Sequence, residues 1–104
     1  MWYHHVAYFF GGAFLGNAVP HYASGVMGRP FPSPFASPPG KGLSSPTVNV
    51  LWGVFNVLVG YLLLHFVGTF NLRNSLDLAA AGLGVLLISV MLARHFGSVT
   101  LSGR

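Results

Sequence analysis

The chain has 104 residues, of which 53% are hydrophobic and 6% are charged, and it carries a net charge of +4 at pH 7 with a single acid, Asp77. A typical soluble domain has about 25% charged residues, so this chain has too few to cover a water-exposed surface, and we expect lipid to surround most of it. The absence of cysteine excludes disulfides and thiolate ligands, and a single acid leaves hydrolytic chemistry without its usual residues, so no enzyme is expected.

The first predicted element is a helix over residues 2–19, formed by an apolar block that Pro20 is expected to end. Gly16, Asn17 and Ala18 resemble the small-residue cleavage site of a signal peptide. A signal peptide usually has a lysine or arginine before its apolar core. This chain has none there. We therefore expect this helix to be retained.

Residues 20–47 form the predicted loop between the first and second helices, and six of the seven prolines lie between Arg29 and Pro46. Proline favours extended or turn backbone over helix. Phe31 and Phe35 are spaced among the prolines, and we interpret them as anchors of an ordered interfacial loop that insert toward lipid or a partner. The alternatives are a loop that packs on its own helix ends and a proline-rich ligand for a soluble recognition domain.

The second helix is predicted over about residues 48–70, where the apolar residues form one long run. Ser45 and Pro46 precede this run and are typical of a helix start. Serine is expected to cap the helix, and proline is expected in the first turn, where its missing N–H costs nothing.

The third helix is predicted over about residues 76–96, with Asn74 or Ser75 as its cap. Asp77 then lies in the first turn, where a carboxylate meets the positive end of the helix dipole. None of the three apolar runs shows the alternation of barrel strands, and lipid admits only helices or closed barrels. The predicted fold class is therefore all-α integral membrane, with three transmembrane helices in a single membrane domain over residues 1–104.

The basic residues predict an orientation in the membrane. Arg29, Lys41, Arg94 and Arg104 fall on the side of the long loop, and only Arg73 falls on the other side. Because basic residues concentrate on the cytoplasmic side, we expect the loop and the C-terminus in the cytoplasm, the N-terminus outside, and a bacterial cytoplasmic (inner) membrane as the location. The basic residues form no patch, so nucleic acid is not an expected partner.

Three histidines and the single acid are expected near the outer face: His4, His5, His65 and Asp77. Histidines with a carboxylate can hold zinc, copper or iron, so these four are the candidate metal ligands. On a helical wheel His65 faces away from the packing side of its helix, which makes the site awkward within one subunit but feasible between subunits. We favour histidines that bond to headgroups, water or backbone, and therefore expect no cofactor.

A second polar group is expected near the inner face, where His21, Arg94 and His95 would form a polar cluster. His21 with His95 is the one pair that could supply two axial ligands to a haem. A proton relay or a contact to a quinone is a further alternative for the histidines.

Small and amide side chains are predicted to form the helix contacts. Pairs of small residues four positions apart (small-x-x-x-small) let helix backbones approach closely in lipid. Asparagine side chains can form hydrogen bonds across helices. Asn56 has two interpretations, as an interhelical hydrogen-bonding group or as the lining of a polar path in an oligomer. The predicted packing residues are Gly12, Gly16, Gly53, Asn56, Gly60, Ala80 and Gly84.

Three function classes follow from these features. The favoured one is a structural or accessory subunit of a membrane assembly, either a homo-oligomer or part of a larger complex. The first alternative is an oligomeric channel or small transporter with Asn56 on its path. The second alternative is a membrane metal or redox site built from the outer histidines. The expected partners are the lipid bilayer, further copies of the chain and a larger membrane complex.

Overall fold

Three helices form most of the described structure. This computed structural model describes residues 2–101, with the side chains of residues 2–99, and its helices are α1 (Trp2–Val26), α2 (Pro46–His65) and α3 (Ser75–Leu101). The prediction of a mainly helical chain with three helices is confirmed. Within the described residues, α2 and α3 are long and apolar enough to cross a membrane. The helix α1 is not among them, since it carries three histidines, Asn17 and Pro20.

The helix α1 continues past residue 19, and the prediction that Pro20 ends it is wrong because Pro20 lies inside the helix. Proline removes one hydrogen bond of the helix, but contacts to α2 hold the turns that follow. His21 is hydrogen bonded to Asn49, and Gly25 lies so close to α2 that a Cβ built on it would be 2.5 Å from a methyl group of Val50.

The end of α1 is set by Gly28, two residues after Val26. Gly28 has a φ of +73°, a conformation that glycine adopts without strain. The N–H of Arg29 donates back to the Ser24 carbonyl at 2.9 Å, which satisfies one of the free carbonyls at the end of the helix.

The helix α2 begins where the sequence predicts and ends earlier. Ser45 accepts a hydrogen bond from the Val48 N–H at 3.1 Å, and Pro46 is in the first turn. The predicted end near residue 70 is wrong, because the helix stops at His65. The last helical hydrogen bond is donated by the Phe66 N–H to the Leu62 carbonyl at 2.9 Å.

The helix α3 begins at Ser75, and Asn74 is its cap. The side-chain oxygen of Asn74 accepts from the N–H of Leu76 at 3.0 Å and of Asp77 at 3.2 Å. The helix runs to Leu101 rather than to residue 96. Arg104, which the predicted orientation uses, lies outside the described residues.

The loop is shorter than predicted, spanning residues 27–45, and it is folded as a small hairpin. Strand β1 (Phe31–Pro32) pairs antiparallel with β2 (Leu43–Ser44), and Phe31 is opposite Ser44. The side chains of Ser33 and Ser44 are buried and hydrogen bonded at 2.6 Å. The peptide bond Ser37–Pro38 is cis. This strand pair is a departure from the all-α prediction.

The helix α1 lies between the other two. It packs along both α2 and α3, whereas α2 and α3 have little contact with each other within the described residues. Gly25 faces Val50 and Gly11 faces Leu64, so α1 and α2 are antiparallel, and α3 is parallel to α1. We call the end of the bundle that holds residues 27–45 the loop end, and the opposite end the Asp77 end.

Small and polar residues face the inside of this bundle, and large apolar residues face outward. The buried residues of α2 are Asn49, Gly53, Asn56 and Gly60. In contrast, at least half of the side-chain surface is exposed at Leu58, Phe55 and Leu86. The apolar windows of α2 and α3 are only 22% and 11% buried, so these helices are not the buried core of the protein.

Candidate functional site

Asn49 is the centre of a hydrogen-bond network at the loop end. Its side chain is fully buried, and its Oδ1 accepts from His21 Nδ1 at 2.8 Å. Its Nδ2 donates to the carbonyls of Phe31 at 3.0 Å and Ser45 at 3.1 Å, with Ser44 at 3.3 Å. One amide therefore joins α1, the hairpin and the start of α2, and all of its hydrogen-bonding groups are used.

Aromatic rings surround His21. The imidazole is 2% exposed, and its ring packs edge-on against Phe31 at 5.5 Å and Phe96 at 6.1 Å. Phe31 and Phe96 also contact each other at 4.7 Å between ring centroids. The hairpin, α1 and α3 therefore meet around one histidine, which the Asn49 hydrogen bond holds in the tautomer that carries a proton on Nδ1.

The predicted inner-face cluster is not brought together as one polar group. His21 is buried, whereas Arg94 and His95 are exposed. His95 Nε2 donates to the Gly40 carbonyl at 2.7 Å, so it attaches α3 to the loop. The chain thus uses its two inner histidines for two separate hydrogen bonds between elements.

A second polar contact lies in the middle of α1 and α2. Asn17 Nδ2 donates to Asn56 Oδ1 at 3.0 Å, and Asn56 Nδ2 donates to the Trp52 carbonyl at 2.7 Å. Asn56 is fully buried against α1. Asn17 is not among the predicted packing residues. The sequence does point to Asn17, because it is the one amide side chain in the first apolar block.

At the Asp77 end, His5 and Asp77 join α1 to α3. His5 Nε2 lies 3.2 Å from Asp77 Oδ1. The other carboxylate oxygen accepts from the Asn71 N–H at 3.0 Å. His5 and Asp77, together with His4 and Tyr8, line a polar cavity of about 340 Å³.

The four candidate metal ligands are not assembled within the chain. His5 and Asp77 are in contact, but His65 is exposed and stacks on Tyr61 at 5.2 Å, while His4 packs edge-on against the neighbouring Tyr3. Within the described residues, no group of three or more histidines and acids is placed to hold a metal ion.

The predicted packing glycines lie at the closest approaches between helices. A Cβ on Gly12 would overlap the Ala81 carbonyl, and a Cβ on Gly84 would overlap the Phe9 carbonyl. On α3 the residue in contact is Ala81, which is buried, whereas the predicted Ala80 is only half-buried. These contacts bring the backbones of α1 and α3 together.

The other small residues pack against side chains and backbone in the same way. A Cβ on Gly16 would lie 2.6 Å from Ile88, and one on Gly53 would lie 2.9 Å from Tyr22. A Cβ on Gly60 would lie 2.8 Å from Leu15. At Gly53 and Gly60 the backbone of α1 is also within 3.0 Å of the added Cβ, so a side chain there would require the two helices to move apart. At Gly16 the close atom is a side-chain methyl, so Ile88 would have to shift.

The two predicted loop anchors differ in their surroundings. Phe31 is half-buried against His21, whereas Phe35 is 65% exposed. Phe35 packs edge-on against Trp52 at 5.0 Å, and Trp52 stacks on Phe55 at 5.6 Å. Together with Val48 and Leu51, these rings line an apolar cavity of about 300 Å³ that opens on the outside of the bundle.

Trp52 carries an unpaired donor. Among the described side chains, its indole Nε1 is a buried polar atom without a hydrogen-bond partner. An unpaired N–H in apolar surroundings is costly. Among the described side chains at the loop end, Trp52 therefore carries a buried donor that the chain does not pair.

The chain matches no model of a known protein family, no curated protein and no solved structure.

Proposed function

We propose that the chain is an integral membrane protein in which all three helices cross the bilayer, and that it serves as a structural or accessory subunit of a membrane assembly. The observation that carries the membrane location is the exposure of the two outer helices. Their apolar windows are mostly exposed, with 22% buried in α2 and 11% in α3. A core helix of a soluble protein would be largely buried, and so much apolar surface in water would favour aggregation.

The length and the polar contacts of α1 support it as a third span. Its 25 residues extend about 37 Å at 1.5 Å per residue, which exceeds the ~30 Å hydrocarbon core. Asn17 and His21 are hydrogen bonded to α2. Polar groups that are paired inside a bundle are tolerated at membrane depth, so α1 can span although its composition is less apolar.

The use of the polar groups supports a structural role. Asn49, Asn56 and His21 are all engaged in contacts between elements of this chain. A channel lined by Asn56 would need the polar face of α2 to point at an oligomer axis, whereas Asn56 is fully buried against α1. The outward surface consists instead of large apolar side chains, which suit lipid and the helices of a partner.

The basic residues support an orientation with the loop end in the cytoplasm. Arg29, Lys41 and Arg94 are at the loop end, and Arg73 and Asp77 are at the other. This bias predicts a cytoplasmic loop end, and a bacterial cytoplasmic membrane is the location that we propose.

The test has two stages. In alkaline carbonate extraction of cells that express the chain, we expect it to remain in the membrane pellet, and its release into the soluble fraction would contradict the membrane location. Native mass spectrometry after mild detergent extraction should then show a complex of defined mass, made of several copies or of a copy with a larger partner.

A lone monomer in that spectrum would contradict the subunit role and leave the membrane location intact.

The channel alternative is tested by Asn56→Leu in vesicles. If this variant assembles normally but loses ion or solute flux, the subunit proposal is replaced by the channel.

A further inference from the structure

The charged residues of the chain are distributed unequally between its two ends. Arg29, Lys41 and Arg94 are at the loop end, where the described residues include no acid. At the opposite end, Arg73 is offset by Asp77. Among the described residues, the loop end therefore carries three positive charges, and the Asp77 end carries one charge of each sign.

The apolar cavity of Phe35, Trp52 and Phe55 is at the same end. It is open on the outer side of α2, and Phe35, which forms one wall, belongs to the loop that carries Arg29 and Lys41. A ligand in this cavity would thus have an apolar part against aromatic rings and could place a negative group near the basic loop.

We propose that this cavity binds an acyl chain of an anionic phospholipid, whose headgroup phosphate is held by Arg29 and Lys41. The assignment rests on the proposed membrane location, since the occupant comes from the bilayer. Basic residues beside a membrane surface attract anionic lipids.

The chain offers a direct optical test. It has two tryptophans, and Trp2 is at the Asp77 end, 75% exposed. The variant Trp2→Phe leaves Trp52 as the single fluorophore. It is reconstituted in vesicles of brominated phosphatidylglycerol diluted in unlabelled phosphatidylcholine, and in the reverse mixture of brominated phosphatidylcholine in unlabelled phosphatidylglycerol. Bromine on the acyl chain quenches a tryptophan in contact with it.

We expect brominated phosphatidylglycerol to quench Trp52 more strongly at equal mole fraction. The relative binding constant should favour the anionic lipid roughly fivefold or more, since one basic residue near an anionic surface contributes about this factor. In the same background, Arg29→Gln with Lys41→Gln should bring the ratio close to one, and Arg73→Gln is the matched control that should leave it unchanged. Phe35→Ala should also lower the preference, whereas Phe66→Ala, at the other end of α2, should not.

The outcomes separate this proposal from the membrane location. Equal quenching by both brominated lipids would overturn the anionic lipid site and leave the membrane location standing. An equal loss of preference in Arg73→Gln and in the double variant would also overturn the site. Absence of quenching by either lipid would overturn the site together with the membrane location.

Discussion

The central helix α1 contacts its two neighbours in different ways. Against α3 the contact is between backbones, at Gly12 with Ala81 and at Gly84 with Phe9, where no Cβ fits. Against α2 glycines also approach the neighbouring backbone, as at Gly60 with Gly11, and buried amide groups form hydrogen bonds in addition, with Asn56 as one of the acceptors.

This difference follows from the physics of helix association in lipid. Lipid tails are as apolar as leucine, so helices are held together by close packing and by hydrogen bonds rather than by a hydrophobic driving force. The α1–α3 contact uses close packing, with one polar pair at its end, His5 with Asp77. The α1–α2 contact adds hydrogen bonds that fix the register of two antiparallel helices. We therefore expect the two contacts to respond to different substitutions.

The largest effect is expected at Gly84. The variant Gly84→Ala places a Cβ against the Phe9 carbonyl, which forces the backbones apart and should lower the free energy of unfolding by about 3 kcal/mol. The matched control is Gly82→Ala on the same helix, where a Cβ meets nothing within 4 Å. This control should be neutral or should stabilise α3 by about 0.5–1 kcal/mol. Titration with SDS in mixed micelles measures both, and equal losses would contradict the close α1–α3 contact.

The next effect is expected at Asn49. The variant Asn49→Leu leaves the buried His21 N–H without its partner, at a cost of about 2 kcal/mol. In a double-mutant cycle, His21→Phe should cost much less in the Asn49→Leu background than in the original chain. Additive losses in the SDS titration would show that the two side chains are not coupled.

A smaller effect is expected at Asn56. The variant Asn56→Leu removes the hydrogen bond from Asn17, and such bonds between membrane helices contribute about 0.6 kcal/mol on average. The same titration should show a loss of about 1 kcal/mol, and Asn17→Leu should show a similar one. A loss as large as that of Gly84→Ala would reverse the ranking of the two contacts.

The smallest effect is expected at the His5–Asp77 pair. His5 is 38% exposed in this pair, and partly exposed ion pairs contribute about 0.2–1 kcal/mol. His5→Phe should therefore lower the free energy of unfolding by less than about 1 kcal/mol. His65→Phe, on the exposed side of α2, is the control. A difference between the two variants above this limit would mean that the pair, rather than the glycines, holds α3.

The sequence predicted the elements that depend on local chemistry. The Ser45 cap with Pro46 in the first turn fixed the start of α2, because capping involves only neighbouring residues. The end of α1 was missed, since contacts from α2 to His21 and Gly25 carry the helix past Pro20. The tendency of proline to end a helix is a local property and says nothing about such contacts between helices.

The candidate site was predictable to a similar degree. The spacing of Gly12 with Gly16 and of Ala80 with Gly84 predicted close helix approach, but it could not tell that Ala81 rather than Ala80 meets α1. The contrast between half-buried Phe31 and exposed Phe35 depends on the hairpin. The sequence pattern did not predict this hairpin, because its strands have only two residues each.

The central claim is that lipid covers the outer faces of α2 and α3. The chain has no cysteine, so single cysteines can be introduced at Leu58, Leu86 and Leu72, which are 52%, 57% and 70% exposed. The reaction of each with a membrane-impermeant maleimide is measured in permeabilised native membranes, so that the reagent reaches both faces. We predict that Leu72→Cys, in the connection between α2 and α3, reacts rapidly. Leu58→Cys and Leu86→Cys should react only after denaturation. Equal rates at all three positions before denaturation would contradict the account.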